Sequence, residues 1–221
     1  MTVFELLSEY LEPSTLDETV GETLDRALER GHQHVPVVDA AGRLIATVRL
    51  PDLVACPNPE TPLREFRLQT PLFIASEAHL FDAVEFVVDN EVDVLPVVDA
   101  VGRYLGALDL TGLLRSVSRT LGIGEAGSII EIDVSSRDYA LGRLVHTIEE
   151  HGARVLSVNS EQSRETGGDV RLTVKMSVSD TVRIRAVLEH YGYSVVALER
   201  RQSMAEDLQQ RVREFIHYLD V

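Results

Sequence analysis

The spacing of apolar positions changes character several times along the chain, and each change marks an element. From about residue 19 to 30, Val20, Leu24, Ala27 and Leu28 fall at the i, i+4, i+7, i+8 spacing of one helix face, and Gly31 can close that helix in a left-handed cap. A short apolar run at 35–38 meets a turn from Asp39 to Gly42, and a second run follows at 43–48. Such runs predict short strands buried on both faces. The same features return sixty residues later. HVPVVDAAGRLIATVRLPDLV, from His34 to Val54, aligns without a gap on VLPVVDAVGRYLGALDLTGLL, from Val94 to Leu114, with nine of 21 positions identical. The offset continues upstream, where Leu80, Val84, Val87 and Val88 match the four apolar positions of the first helix. Neither copy holds enough surface to cover its own strands, so the pair of copies is the expected folding unit.

The second half is patterned differently. A strand is expected at 129–134, then a helix starting near Asp138 with Leu141, Leu144, Val145 and Ile148 on one face and Gly152 at its end. Strands at 153–160 and 169–178 flank the loop SRETGGD. Asp180 then starts a helix carrying Ile184, Val187, Leu188 and Tyr191, closed by Gly192 before a last strand at 193–199. The order is βαββαβ, a ferredoxin-like split βαβ arrangement with two helices on one face of an antiparallel sheet. Residues 201–221 show a further helical stripe, Met204, Leu208, Val212, Phe215, Ile216 and Leu219, which must cover something.

The repeated h-P-V-V-D-x-x-G-R stretch resembles the CBS-domain pair, or Bateman module, over residues 1–121, with repeats at about 1–60 and 61–121. The resemblance implies a pseudo-twofold disc, usually dimerised, with two clefts that often bind AMP, ADP, ATP or S-adenosylmethionine as regulatory ligands; it implies sensing and no resident cofactor. In binding members the second strand runs into G-h-h-T/S-x-x-D. Here the first repeat reads ATVRLPDL, with Ala46 for Gly, Arg49 for the hydroxyl and Asp52 retained. The second reads GALDLTGL, with Gly106 kept, Asp109 at the hydroxyl position and Gly112 in place of the acid. A carboxylate can accept both hydroxyl protons of a ribose diol, and a guanidinium suits phosphate. His34, Val35, Pro36, Arg49 and Asp52 are therefore the nucleotide-site candidates, unless Asp52 only caps the short helix after Pro51 and Arg49 pairs with a nearby acid. Leu95, Pro96 and Asp109 mark the second cleft, expected to be degenerate. Glu77 to Gly102 carries seven acids and no Lys or Arg, which favours an empty cleft or an uncharged or cationic ligand.

Residues 128–200, with HTIEEHGARVLSV at a helix end and second strand, resemble an ACT domain, a fold that pairs side by side and often binds amino-acid effectors. Effector-binding versions usually carry a D-R-P-G-like turn before the first helix. The aligned residues here are Ser136, Arg137, Asp138 and Tyr139, and Tyr139 replaces the glycine that permits close backbone approach. Either Tyr139 gates a different effector, or the domain serves dimerisation and signalling. The fold expected for the whole chain is thus α/β and α+β: a CBS pair, a linker at 122–127, an ACT-like domain and a C-terminal amphipathic helix. The CBS-CBS-ACT order is similar to the acetoin-utilisation regulatory proteins.

Composition sets limits on function. The 221 residues hold 36 Asp+Glu against 21 Lys+Arg, a formal net charge of −15, and Lys175 is the single lysine. Residues 1–121 carry net −11 and the remainder −4. Nucleic acid and anionic membrane surfaces are excluded as partners, because both are held by clustered positive charge. The acidity fits a salt-adapted cytoplasm, and equally an Arg-preferring genome. No apolar run reaches the roughly 20 residues needed to cross a bilayer, and the acidic start MTVFELLSEYLEP is unlike a signal peptide, so a cytoplasmic location is expected. One cysteine, Cys56, excludes an intrachain disulfide. His32 and His34 would share a face in extended chain, but no further ligand accompanies them and no metal site is expected. GIGEAG at 122–127 precedes a strand and so lacks the helix of a phosphate loop. With no nucleophile–base pair or paired carboxylates either, the chain is expected to be non-catalytic, and the CBS and ACT resemblances imply a homodimeric regulator that senses a small molecule. The alternative is an interaction scaffold with degenerate clefts, acting through its acidic surface or C-terminal helix.

Overall fold

A computed structural model of the chain describes residues 1–7, 11–135, 140–162, 169–178 and 181–201. The chain divides into two compact units, the first ending at Val117 and the second beginning at Ser118. In the first unit, β1 (Ser14–Thr15), α1 (Val20–Arg30), β2 (His34–Val38), β3 (Leu44–Arg49) and α2 (Leu50–Val54) form one repeat. β4 (Ile74–Ala75), α3 (Leu80–Asn90), β5 (Val94–Val98), β6 (Tyr104–Asp109) and α4 (Leu110–Thr120) form the other. Each builds a three-stranded sheet with a parallel and then an antiparallel neighbour, β1-β2-β3 and β4-β5-β6. The registers match across the sixty-residue offset: His34 faces Arg49 as Val94 faces Asp109, and both ladders shift at the second valine pair.

Local chemistry explains the repeated turns. Asp39 Oδ1 accepts the amides of Ala41 and Arg43, Asp99 Oδ1 accepts those of Val101 and Arg103, and Gly42 and Gly102 follow at φ +75° and +81°. The two turns then meet. The Leu44 amide donates to Gly102 O at 3.1 Å and the Tyr104 amide to Gly42 O at 2.9 Å, a reciprocal pair that gives the repeats their pseudo-twofold relation. Thr19 caps α1 and accepts from the Glu22 amide, while Glu22 reaches back to the Thr19 amide. At α3, His79 Nδ1 accepts the Phe81 amide and Asp82 reaches back to the His79 amide.

The buried helix stripes are narrower than the sequence spacing predicts. Leu28 and Val88 are 57% and 68% exposed, whereas Thr23 and Ala83 are fully buried. At about 100° per residue, the eighth position drifts about 80° from the first and leaves the core, while the third position stays within it. The two repeat cores are also closed by segments from outside the repeated elements. Val3 lies in the core of α3, β5 and β6, and its amide donates to Ala78 O. Leu63 lies in the core of α1, β2 and β3, and its amide donates to Glu18 O. The segment leading into each repeat thus seals the other one.

The second unit contains β7 (Gly127–Ser135), α5 (Leu141–Glu150), β8 (Val155–Gln162), β9 (Asp169–Met176), α6 (Thr181–His190) and β10 (Ser194–Arg201). The sheet order is β10-β7-β9-β8 and every neighbour is antiparallel, as a split βαβ unit requires. Ile130, Ile132 and Val134 alternate inward from β7 and meet Leu144 and Ile148 of α5 and Ile184 and Leu188 of α6 in one core. Tyr191, expected on the buried stripe, is 46% exposed because α6 ends at His190, before the turn at Gly192. The expected C-terminal helix, the Asp180 cap and most of the SRETGGD loop lie outside the described residues.

Candidate functional site

Two clefts open in the first unit, and each is built crosswise from both repeats. One, of about 510 Å³, is lined by Gln33, His34, Thr47, Arg49 and Pro51 of the first repeat, by Gln69, Thr70 and Leu72 of the connection, and by Asn90, Glu91 and Val92 from the end of α3. The other, of about 750 Å³, takes Leu108, Asp109, Thr111, Gly112 and Arg115 from the second repeat, Leu6, Leu7 and Leu11 from the lead segment, and Arg30 and His32 from the end of α1. They are referred to below as the α2 cleft and the α4 cleft.

This crosswise construction redistributes charge. Glu91, at the end of α3, borders the α2 cleft, while Arg30, at the end of α1, lines the α4 cleft. The acidic run at 77–102 was expected to weigh on the Asp109 cleft. Among the described residues that cleft instead presents Arg30 and Arg115 beside Asp109.

Within the α2 cleft the candidate residues are tied to one another. Arg49 donates through Nε and Nη2 to Asp52 Oδ2 and Oδ1, at 3.0 and 3.2 Å, and Gln69 Nε2 donates to Asp52 Oδ2 at 2.9 Å. The Asp52 hydrogen bonds hold the Arg49 guanidinium above its usual pKa. Arg49 itself takes the N-cap position of α2, with Pro51 in the first turn and no side-chain cap, so Asp52 serves the ion pair. His34 reaches across the repeats, its Nδ1 2.6 Å from Asp93 Oδ1, and the Gln33 amide donates to Asp93 Oδ2 at 2.6 Å. Burial raises the Asp93 carboxyl, but the hydrogen bonds from His34 and the Gln33 amide, with the His34 charge, outweigh it and leave the group below its ordinary value. Thr47 is 6% exposed, and its Oγ1 has no hydrogen-bond partner among the described residues.

Asp109 has a local role. It stands at the start of α4 and accepts the Gly112 amide at 2.6 Å; a Cβ at position 112 would lie 2.5 Å from that carboxylate oxygen. The missing acid at 112 and the acid at 109 are therefore one exchange, in which a glycine makes room for a capping aspartate. Val35, Pro36, Leu95 and Pro96 are buried in β2 and β5 and line neither cleft. His32 and His34 open into different clefts, because His32 precedes the strand that His34 begins, so the extended-chain expectation of a shared face does not apply. No cluster of three metal-ligating side chains occurs among the described residues. Ser136, Arg137, Asp138 and Tyr139 lie outside them. No helix among the described residues is long and apolar enough to cross a membrane. Arg30, Thr47, Asp93 and Arg115 were not picked out from sequence. The signal for them is the same sixty-residue offset, once the end of each first helix is assigned to the opposite repeat's cleft.

The CBS domain family model matches residues 13–57 and 63–119, together a little under half of the chain. A CBS domain pair/ACT domain protein from Thermotoga maritima is 23% identical, with 55% of this chain and 99% of that one covered at a TM-score of 0.49. A candidate acetoin utilization protein from Vibrio cholerae is 22% identical over 56% and 94%, also at 0.49. The Arabidopsis thaliana protein CBSX2, solved in complex with AMP, is 22% identical over 53% and 96%, at 0.48. No curated protein sequence matches the chain. The family match and the repeated topology identify residues 13–57 and 63–119 as a tandem pair of CBS domains.

Proposed function

We propose that the protein is a cytoplasmic, non-catalytic regulator whose CBS pair senses an adenosine-containing nucleotide or a related small metabolite. The observation that carries this reading is the pair of clefts, each of several hundred Å³ and lined by guanidinium, hydroxyl and imidazole groups suited to sugar, base and phosphate. The second unit, with its βαββαβ order and single-faced core, serves as an ACT-like element for dimerisation or signal relay. A second reading, an interaction scaffold with degenerate clefts, draws on the internal commitments of Arg49 to Asp52 and of Asp109 to α4. Thermal-shift measurements with AMP, ADP, ATP and S-adenosylmethionine separate the two. The sensor reading requires a saturable rise in Tm with at least one of them. No rise with any at millimolar concentration, in low and high salt, would leave the scaffold.

A further inference from the structure

An exposed aromatic patch lies at the start of α3, outside the lining of both clefts. The lead segment runs beside the N-terminus of this helix: Thr2 pairs with His79, the Leu80 amide donates to Met1 O and the Phe4 amide to Ser76 O. Val3 enters the core, whereas Met1, Phe4 and Phe81 stay at the surface, 41%, 60% and 58% exposed. The His79 ring meets Phe81 edge-on, with centroids 4.9 Å apart. Single exposed apolar side chains are ordinary, but several gathered at one place inside a charged rim mark a contact surface. The rim here is acidic. Glu5, Glu77, Asp82 and Glu85 are all exposed, and residues 1–7 and 77–102 contain no Lys or Arg.

The sixty-residue offset shows what happens at the equivalent place in the other repeat. Position 21 is Gly where 81 is Phe, and the chain itself covers it: the Gly21 amide donates to Pro59 O at 2.8 Å, and a Cβ on Gly21 would lie 3.2 Å from Pro59 Cβ. The start of α1 is thus overlaid by a chain segment, while the start of α3 offers an exposed aromatic ring. A second copy is a poor occupant, because a twofold contact through this patch would set the four carboxylates of one copy against the same four of the other. A partner that carries Lys or Arg beside apolar anchors complements both the rim and the centre.

We infer that the start of α3, with Met1, Phe4 and Phe81, is a docking surface for a basic, apolar-faced segment of another protein.

Fluorescence anisotropy of the full chain tests this with a labelled amphipathic peptide of about 14 residues, Lys and Leu at helical spacing, beside the same peptide with Glu for Lys. The Lys peptide is expected to bind saturably and the Glu peptide not at all. Phe4→Ser with Phe81→Ser, which leaves the charge untouched, is expected to weaken binding about tenfold or more. Glu77→Gln with Glu85→Gln is expected to weaken it about threefold or more, and the same loss of charge on α5, Glu149→Gln with Glu150→Gln, to leave it unchanged. Failure of the Lys peptide to bind, binding indifferent to the two phenylalanines, or equal weakening by the two charge pairs overturns the inference. So does a wild-type dimer, seen by sedimentation, that Phe4→Ser with Phe81→Ser converts to monomer, since a second copy would then hold the patch.

Discussion

An alanine Cβ at position 112 would lie 2.5 Å from Asp109 Oδ1, so Gly112→Ala must push aside the carboxylate that caps α4. Losing such a cap costs about 1 kcal/mol, whereas alanine at an unobstructed helical position gains about as much over glycine. The effect should therefore depend on residue 109. Gly112→Ala is expected to leave Tm nearly unchanged in the wild-type background and to raise it in Asp109→Ala, and equal effects in both would show that the two residues are not coupled. A second expectation concerns acid. The folded Asp93 carboxyl is held below its unfolded value near 3.9, so its contribution is fully present above that value and is lost as pH falls through the lower folded one. Melting curves should accordingly show the wild type losing its advantage over Asp93→Asn below about pH 4. Parallel pH profiles would refute a stabilising pair with His34.

At the scale of elements, the repeat was legible because both copies keep the same turn chemistry, Asp39 and Asp99 bonding amides two and four residues on. The second unit was legible because its strand alternation and helix periodicity agree about one buried face. What periodicity could not reveal is the partner of each face. Leu28 and Val88 fit a helical stripe yet point outward, and Val3 and Leu63 belong to cores that their own sequence neighbourhoods do not suggest. Such placement is set by tertiary packing, not by local pattern. It has a measurable consequence at Leu63, which is fully buried among Val20, Val35, Val37 and Val48. Leu63→Ala should destabilise the first unit by about 2–5 kcal/mol, the range for a large-to-small change in a core. Hydrogen exchange should quicken first in β2 and β3. Faster exchange confined to β5 and β6 would contradict the crossed arrangement.

Across the whole first unit, the difference between the two clefts comes from applying an approximate symmetry to unequal residues. The two repeats share registers and turns, but position 30 is Arg where 90 is Asn, position 47 is Thr where 107 is Ala, and 49 and 52 are Arg and Asp where 109 and 112 are Asp and Gly. Divergence of the two clefts was readable from the last two pairs. The direction of the charge difference was not, because each cleft takes its far wall from the other repeat. Crystal structures of the full chain grown in turn with AMP, ADP, ATP and S-adenosylmethionine put this account to the most direct test. The expected result is at least one of these ligands seated in one of the two clefts; both clefts empty with all four at millimolar concentration would contradict it.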